Sequence, residues 1–555
     1  MSTLISVLGG VGLFLLGMSV MTNGLKALAG PRLRATLRKA AATPLSGTFW
    51  GAFVTLIVQS SSATTMTTIG LVSAGLLTFS QGLGLVFGAN IGTTGTAWLI
   101  ALIGVRVSLT ASALPMIFVG ALLTLLGKGR LSAAGSTLAG FALILIGLTT
   151  LQQGMGGVAE QLHPANLPAV LGSGVGWWAG LLGVLSLTLI GLAMTAVMQS
   201  STAAVAVTLA AYFAGAVGLD QACALIIGQN IGTATSSAMA AIGASSTAKR
   251  LALAYVLFKI VAASIALALF PITTPLLLHL ADTIDGVTLL AAYHTGFNVV
   301  GVTVMLPLID KFTRFVERIL PEREAPGTRF LDRAALETPL AAEEAVRRTV
   351  AHSLATMCGS INSALVAGLD VASIANASDA LRQAREFMSE VSAPPVSKEE
   401  RQRLTHTLYA LTYASRLAEV ASDTGELDLG AIPSGIEDLR ARELCVEAMQ
   451  NALVIATAVG AVPPRAPKRK RGTPAPPKGL AAHGPLTEHA MIELEYCAHT
   501  LEELRKVHRE TMLSSVGGGA MNADNALARV DAIRRLEALA YNAWRSSTHL
   551  VDQAS

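Results

Sequence analysis

Gln59-Ser60-Ser61-Ser62-Ala63 and Gln199-Ser200-Ser201-Thr202-Ala203 are two versions of one polar pentapeptide set in apolar sequence. A second pair follows each: Gly88-Ala-Asn-Ile-Gly-Thr-Thr94 and Gly228-Gln-Asn-Ile-Gly-Thr-Ala234. The offsets agree, 199 − 59 = 140 and 230 − 90 = 140. Two motifs that keep one register over this distance mark an internal duplication, which dictates architecture before any local feature does.

The surrounding composition says what kind of duplication it is. Of 555 residues, 52% are hydrophobic and 14% charged, against about 25% charged in a soluble domain. Residues 1–310 hold five acids (Glu160, Asp220, Asp282, Asp285, Asp310) and eleven Lys/Arg, which leaves 36 − 5 = 31 acids and 40 − 11 = 29 bases beyond 310. A lipid-compatible first part therefore joins a charged, water-soluble second part. The net charge of +4 is not gathered into a basic stripe of the sort that binds nucleic acid.

Apolar runs able to span ~30 Å as helices lie at about 4–22, 108–127, 132–151, 250–270 and 287–308. The first reads as a retained membrane helix, since it lacks the basic start and small-residue cleavage site of a signal peptide. Between these runs, 47–104 and 183–243 are apolar but broken by Gln, Ser, Thr, Asn and Gly. The stretches before the glutamines (48–58, 188–198) read as too short to cross, and those after (63–79, 203–218) as returning. Each copy is expected to be a re-entrant hairpin with a polar tip, followed by a crossing (81–104, 220–243) interrupted at Asn90 and Asn230.

Loop charge orients this arrangement. With the N-terminus outside, Lys26, Arg32, Arg34, Arg38 and Lys39 face the cytoplasm, as do Lys128/Arg130, Lys249/Arg250 and Lys311/Arg314; loops 152–177 and 271–286 carry no base, and Arg106 alone lies outside. The result is seven crossings, two hairpins and a cytoplasmic C-terminus, in the cytoplasmic (inner) membrane. Three crossings separate the hairpins, and an odd number inverts the second copy, an architecture shared by many secondary transporters. The expected fold class is all-α: a polytopic membrane protein with two inverted repeats (about 1–130 and 131–275), a final span at 287–308, and a soluble C-terminal helical bundle at 311–555. Helical periodicity in the tail falls at about 333–370, 376–424, 435–461, 488–513 and 523–553, and 462–486 reads as a Pro-rich basic tether. Its Lys468-Arg469-Lys470-Arg471 could touch anionic lipid, with a solvated tether the plainer reading.

Polar side chains and freed backbone at mid-membrane are tolerated only inside protein or along a watery cavity. Half-helices that start there present N–H groups to an oxyanion, and those that end there present carbonyls to a cation. Ser and Thr hydroxyls serve either ligand. Packing by small residues accounts for scattered Gly, Ala and Ser elsewhere, but it does not require two copies in register.

The paired motifs over residues 1–310 resemble the sodium/phosphate cotransporter family, the type II Na⁺-dependent phosphate transporters and their bacterial relatives. The resemblance implies Na⁺-coupled symport of inorganic phosphate by alternating access. It implies phosphate contacts at Gln59, Ser60, Ser61, Ser62, Gln199, Ser200, Ser201 and Thr202, with Thr64, Asn90, Thr93, Asn230, Thr233 and Asn298 as candidate Na⁺ ligands. The sequence does not divide the oxygens between the two ions. The tail resembles the phosphate-signalling protein PhoU in helix count and position, which leaves room for a phosphate-regulatory partner, and a homodimer is open.

One departure stands out. A family pattern His-x-x-Phe-Asn is kept in His294-Thr-Gly-Phe-Asn298 but becomes Tyr255-Val-Leu-Phe-Lys259. Lys259 reads as a counter-charge to the substrate or as a group standing where Na⁺ would bind, against a snorkelling side chain as the bland alternative. His294 reads equally as a helix hydrogen-bonding residue or a site group. Trp50, Trp98, Trp177 and Trp178 read as interfacial or packing aromatics. The four cysteines, Cys223, Cys358, Cys445 and Cys497, form no CxxC and read as buried apolar residues. No Walker, HExxH or GxSxG motif is present, so no enzyme, cofactor or metal beyond Na⁺ is expected. The rivals to Na⁺ symport are a phosphate exporter or other oxyanion carrier with altered coupling, and a membrane-anchored phosphate sensor.

Overall fold

The computed structural model describes residues 2–40, 42–104, 110–160, 163–170, 176–242, 245–321, 327–367, 371–391, 395, 397–423, 435–461 and 484–551. Arg106 and most of the tether, 462–483, lie outside the described residues. All regular structure among them is helical. The chain divides into two compact units, Met1–Ile69 with Leu77–Glu322, and Gly70–Leu76 with Arg323–Ser555.

In the first unit the helices are α1 (Ser2–Ala40), α2 (Pro44–Val58), α3 (Ser61–Ser73), α4 (Phe79–Gly92), α5 (Gly95–Gly104), α6 (Thr110–Leu126), α7 (Arg130–Ala159), α8 (Trp177–Met198), α9 (Ser201–Phe213), α10 (Leu219–Gly232), α11 (Ala234–Ala240), α12 (Ser246–Leu280), α13 (Gly286–Met305) and α14 (Ile309–Ile319). Six helical stretches among the described residues are long and apolar enough to cross a membrane: Thr3–Leu28, Phe79–Leu102, Arg130–Ala159, Trp177–Met198, Ser246–Leu280 and Gly286–Met305.

Several expected boundaries move. The stretch 188–198 is not a short half-helix; it ends the 22-residue α8, which starts at Trp177 and is long enough to span. The expected crossing at 108–127 is the 17-residue α6, about 25 Å long at 1.5 Å per residue. The first helix does not stop near residue 22. It continues to Ala40, so Lys26 is a helical residue rather than a loop charge. The interruptions after Asn90 and Asn230 are slight: Thr93-Thr94 separate α4 from α5, and Thr233 alone separates α10 from α11.

The duplication is structural. A Cβ on Gly88 would lie 1.9 Å from the Thr48 carbonyl oxygen, and one on Gly228 would lie 1.8 Å from that of Thr188. Gly51 meets Leu85 O at 2.1 Å and Gly191 meets Leu225 O at 2.1 Å. Every partner is 140 residues from its twin. The α2–α4 and α8–α10 crossings are thus the same parallel contact, with backbones too close for any side chain; such small-residue contacts drive helix packing in lipid.

In the second unit, α15 (Pro339–Ala367), α16 (Val371–Ser389), α17 (Lys398–Asp423), α18 (Ile436–Gly460), α19 (Pro485–Gly517) and α20 (Ala523–Val551) carry an Ala- and Leu-rich core. The periodic run 376–424 is two helices, parted where Pro394-Pro395 removes two backbone donors. Gly70–Leu76 belongs to this unit, where Ser73 donates to Asp332 at 3.2 Å. Cys223, Cys358, Cys445 and Cys497 are free and buried.

A buried ion network joins α15 to α17. Glu344 pairs with Arg347 (3.0 Å), Arg348 (2.9 Å) and Arg403 (3.1 Å), and Arg403 also reaches Glu343 at 2.7 Å. Thr407 donates to Glu343 at 2.7 Å. Burial pushes the Glu344 carboxyl up, but the arginines outweigh it and hold the group down to about 2. Its stabilising contribution is therefore complete above the unfolded carboxylate pKa and is lost as pH falls toward about 2.

Two outcomes follow. Gly228→Ala should destabilise the purified full chain by about 1–3 kcal/mol through overpacking, while Gly12→Ala, which meets nothing within 4 Å, should not lower the melting temperature. Arg403→Met strands Glu343 with one hydroxyl partner, and hydrogen exchange in α15 and α17 should accelerate on the order of 100-fold, matching about 3 kcal/mol for a broken buried pair.

Candidate functional site

Each polar pentapeptide folds into the same tight turn. Gln59 caps α2 and Gln199 caps α8 in the left-handed region, at φ 55° and 50°; they are the two non-glycine residues with positive φ among the described residues. That conformation costs a side-chain-bearing residue roughly 1–2 kcal/mol, and here both glutamines are clamped. Gln59 Nε2 donates to Leu56 O (2.5 Å) and its Oε1 accepts from Thr96 Oγ1 (2.5 Å). Gln199 Nε2 donates to Ala196 O (2.5 Å) and its Oε1 accepts from Ser236 Oγ (2.8 Å). Thr96 and Ser236 occupy equivalent places, 96 − 59 = 236 − 199 = 37 residues on. They tie each tip to the half-helix beyond its break.

The next residue starts the following helix. Ser60 Oγ accepts from Ala63 N (3.3 Å), and Ser200 Oγ from Ala203 N (3.2 Å). By helix geometry the N–H groups of Ser61, Ser62, Ser201 and Thr202 have no intrahelical acceptor. The N-termini of α3 and α9 therefore carry donor groups and the positive dipole end.

Both tips open on one cavity of ≈ 290 Å³. All eight expected phosphate residues line it: Gln59, Ser60, Ser61, Ser62, Gln199, Ser200, Ser201 and Thr202. The sequence reading missed the opposite wall. Ser19, Thr22, Asn23 and Lys26 of α1 line it too, at helical i, i+3, i+4, i+7 spacing. Among the described residues Lys26 is the one charged lining residue and no carboxylate lines the cavity, so its chemistry is hydroxyl-rich, net positive and suited to an oxyanion.

The expected cation ligands divide. Thr233 lines the cavity, beside Ser236, which was not expected there. Thr64 does not: it is buried, accepting from Thr55 Oγ1 at 2.9 Å and donating to Ser60 O at 3.3 Å. Thr93 Oγ1 is spent on Ala89 O at 2.8 Å. Asn90, Asn230 and Asn298 meet in a separate buried cluster. Asn298 Nδ2 donates to His294 O (2.7 Å), and Asn298 Oδ1 accepts from Asn90 Nδ2 (2.5 Å) and Asn230 Nδ2 (3.2 Å). Lys259 joins this cluster, donating to Asn230 Oδ1 at 2.6 Å. It is 2% exposed and does not snorkel. Tyr255, one turn before it, is buried and sets its ring 5.3 Å from the Lys259 Nζ. His294 is buried with its Nδ1 unpartnered and does not line the cavity. Trp98 Nε1 donates to Thr295 Oγ1 at 2.9 Å, a packing role.

Residues 13–153 and 183–290 match the family described as Na⁺/Pi-cotransporter. "Uncharacterized protein YqeW" of Bacillus subtilis is 28% identical over 58% of this chain and its own full length. "Putative inorganic phosphate export protein YjbB" of Escherichia coli is 31% identical over 63% of each chain. "Sodium-dependent phosphate transport protein 2A" of Rattus norvegicus is 35% identical over 17% of this chain and 15% of its own. No solved structure matches. With several helices of membrane-spanning length and both motif copies inside the matched residues, the chain is a multi-pass membrane protein whose residues 13–153 and 183–290 belong to the Na⁺/Pi-cotransporter family.

Proposed function

We propose that this protein is a secondary transporter of inorganic phosphate, coupled to Na⁺ and working by alternating access, and not an enzyme. One observation carries the reading: two separate helix N-termini, each with its Gln-Ser-Ser-Ser/Thr turn, line a single cavity that has no carboxylate among the described residues. Serine and threonine hydroxyls, first-turn N–H groups and the Lys26 ammonium supply donors to several phosphate oxygens at once. A duplicated site suits alternating access, because each copy can move against the other around one shared ligand.

In this reading the coupling cation draws on amide and hydroxyl oxygens of the broken helices. Asn90 Oδ1 is buried without a hydrogen-bond partner, and an unpartnered carbonyl oxygen at this depth is costly unless a cation takes it. Thr93 and Thr233 flank the two breaks and complete the candidate set. The helical second unit then serves as a cytoplasmic PhoU-like regulator. The names of the relatives point in two directions, export and sodium-dependent transport. A single cavity serves either, since the ion gradients set net flux.

Radiolabelled phosphate flux in proteoliposomes holding the full chain is expected to rise several-fold with an imposed Na⁺ gradient. Equal flux with and without Na⁺ removes the symport. Ser61→Ala and Ser201→Ala should each abolish flux while the protein still purifies as a monodisperse species; normal flux in both would count against the cavity as the phosphate site.

A further inference from the structure

The buried amide cluster breaks the symmetry of the two copies, and its direction is fixed by its ends. The His294 carbonyl can only accept, so Asn298 turns its Nδ2 toward it and its Oδ1 outward. Asn90 and Asn230 must then both donate to that oxygen, which leaves each with its own Oδ1 facing away. In the second copy the Lys259 ammonium takes that oxygen at 2.6 Å. In the first copy the equivalent oxygen, Asn90 Oδ1, is buried and takes nothing. Asn298, which serves both asparagines, and Lys259, which serves only the second, close two similar pentapeptides, His294-Thr-Gly-Phe-Asn298 and Tyr255-Val-Leu-Phe-Lys259.

A lysine in this position is expensive unless its charge is used. No ion pair joins Lys259 to a carboxylate among the described residues; its partners are Asn230 Oδ1 and the Tyr255 ring, whose centroid is 5.3 Å from Nζ. An amide oxygen and an aromatic face are what a bare monovalent cation would find there.

We propose that the Lys259 ammonium is a tethered cation, standing in the second copy where the first copy leaves an oxygen open for a mobile one, so that this chain moves one Na⁺ fewer per phosphate than it would with asparagine at 259. The inference rests on the phosphate-transport reading and adds a residue that sets the coupling. Lys259 keeps Asn230 and the break at Thr233 in a cation-bound arrangement throughout the cycle, while the Asn90 half still depends on Na⁺.

The test is dual-label flux, ²²Na⁺ with ³²P-phosphate, in proteoliposomes holding the full chain as wild type, Lys259→Asn and Lys259→Met. Lys259→Asn puts at this place the residue that ends the His294-Thr-Gly-Phe-Asn298 pattern, and its Na⁺:phosphate ratio should rise by one with a steeper Na⁺ dependence. Lys259→Met keeps the length of the side chain and suits an apolar helix, but offers neither charge nor cation ligand; its phosphate flux should fall about tenfold or more at every Na⁺ concentration. An unchanged ratio in Lys259→Asn, a folded but inert Lys259→Asn, or wild-type flux in Lys259→Met each overturns the proposal. A wild type that moves no phosphate sinks the transport reading itself, whereas wild-type transport with an unchanged ratio in the asparagine variant sinks only the role of Lys259.

Discussion

Gln59 and Gln199 sit in a backbone conformation that side chains other than glycine avoid, and each spends its amide on holding the chain there. The donor half closes the turn onto the preceding helix and the acceptor half reaches a hydroxyl 37 residues on. Without that clamp, Ser60 and Ser200 would not start the next helix at the cavity wall, and the N-termini of α3 and α9 would not face a common space. The turn is also why hydroxyls are found beside the glutamine: hydroxyls are small, can cap a helix and can still offer an oxygen or a proton to a ligand.

A second constraint is one of accounting. Asn90, Asn230 and Asn298 are buried, so their amides must partner one another. Three asparagines on three helices do so around Asn298 Oδ1, and one oxygen is left over in each copy. The two leftovers are treated differently, one by a lysine and one by nothing in the protein. Two copies of one motif thus give a binding region with unequal halves, and coupling to ions is where that inequality has consequences.

The duplication, the all-helical class and the eight cavity-lining residues were legible because they are encoded as identity at fixed spacing. The partners of the glutamines were not, since Thr96 and Ser236 differ in residue type and no motif marks them. The α1 wall carried a signal that went unread: Ser19, Thr22, Asn23 and Lys26 lie on one helical face, but a hydropathy reading ends the helix near residue 22 and assigns Lys26 to a loop. The extension of α8 back to Trp177 was hidden for a similar reason, because the twin helix α2 starts at Pro44 and the copies differ on that side. Lys259 was visible as an anomaly from the outset; only the geometry around Asn230 shows that it is buried and engaged rather than reaching for the surface.

The central claim is that one anion is shared between the two glutamine turns. Cryo-electron microscopy of the full chain in phosphate and Na⁺ tests it most directly. The account predicts tetrahedral density held between Ser61 and Ser201, absent when phosphate is omitted. Turns that lie apart, or phosphate density at some other place in the protein, would contradict it.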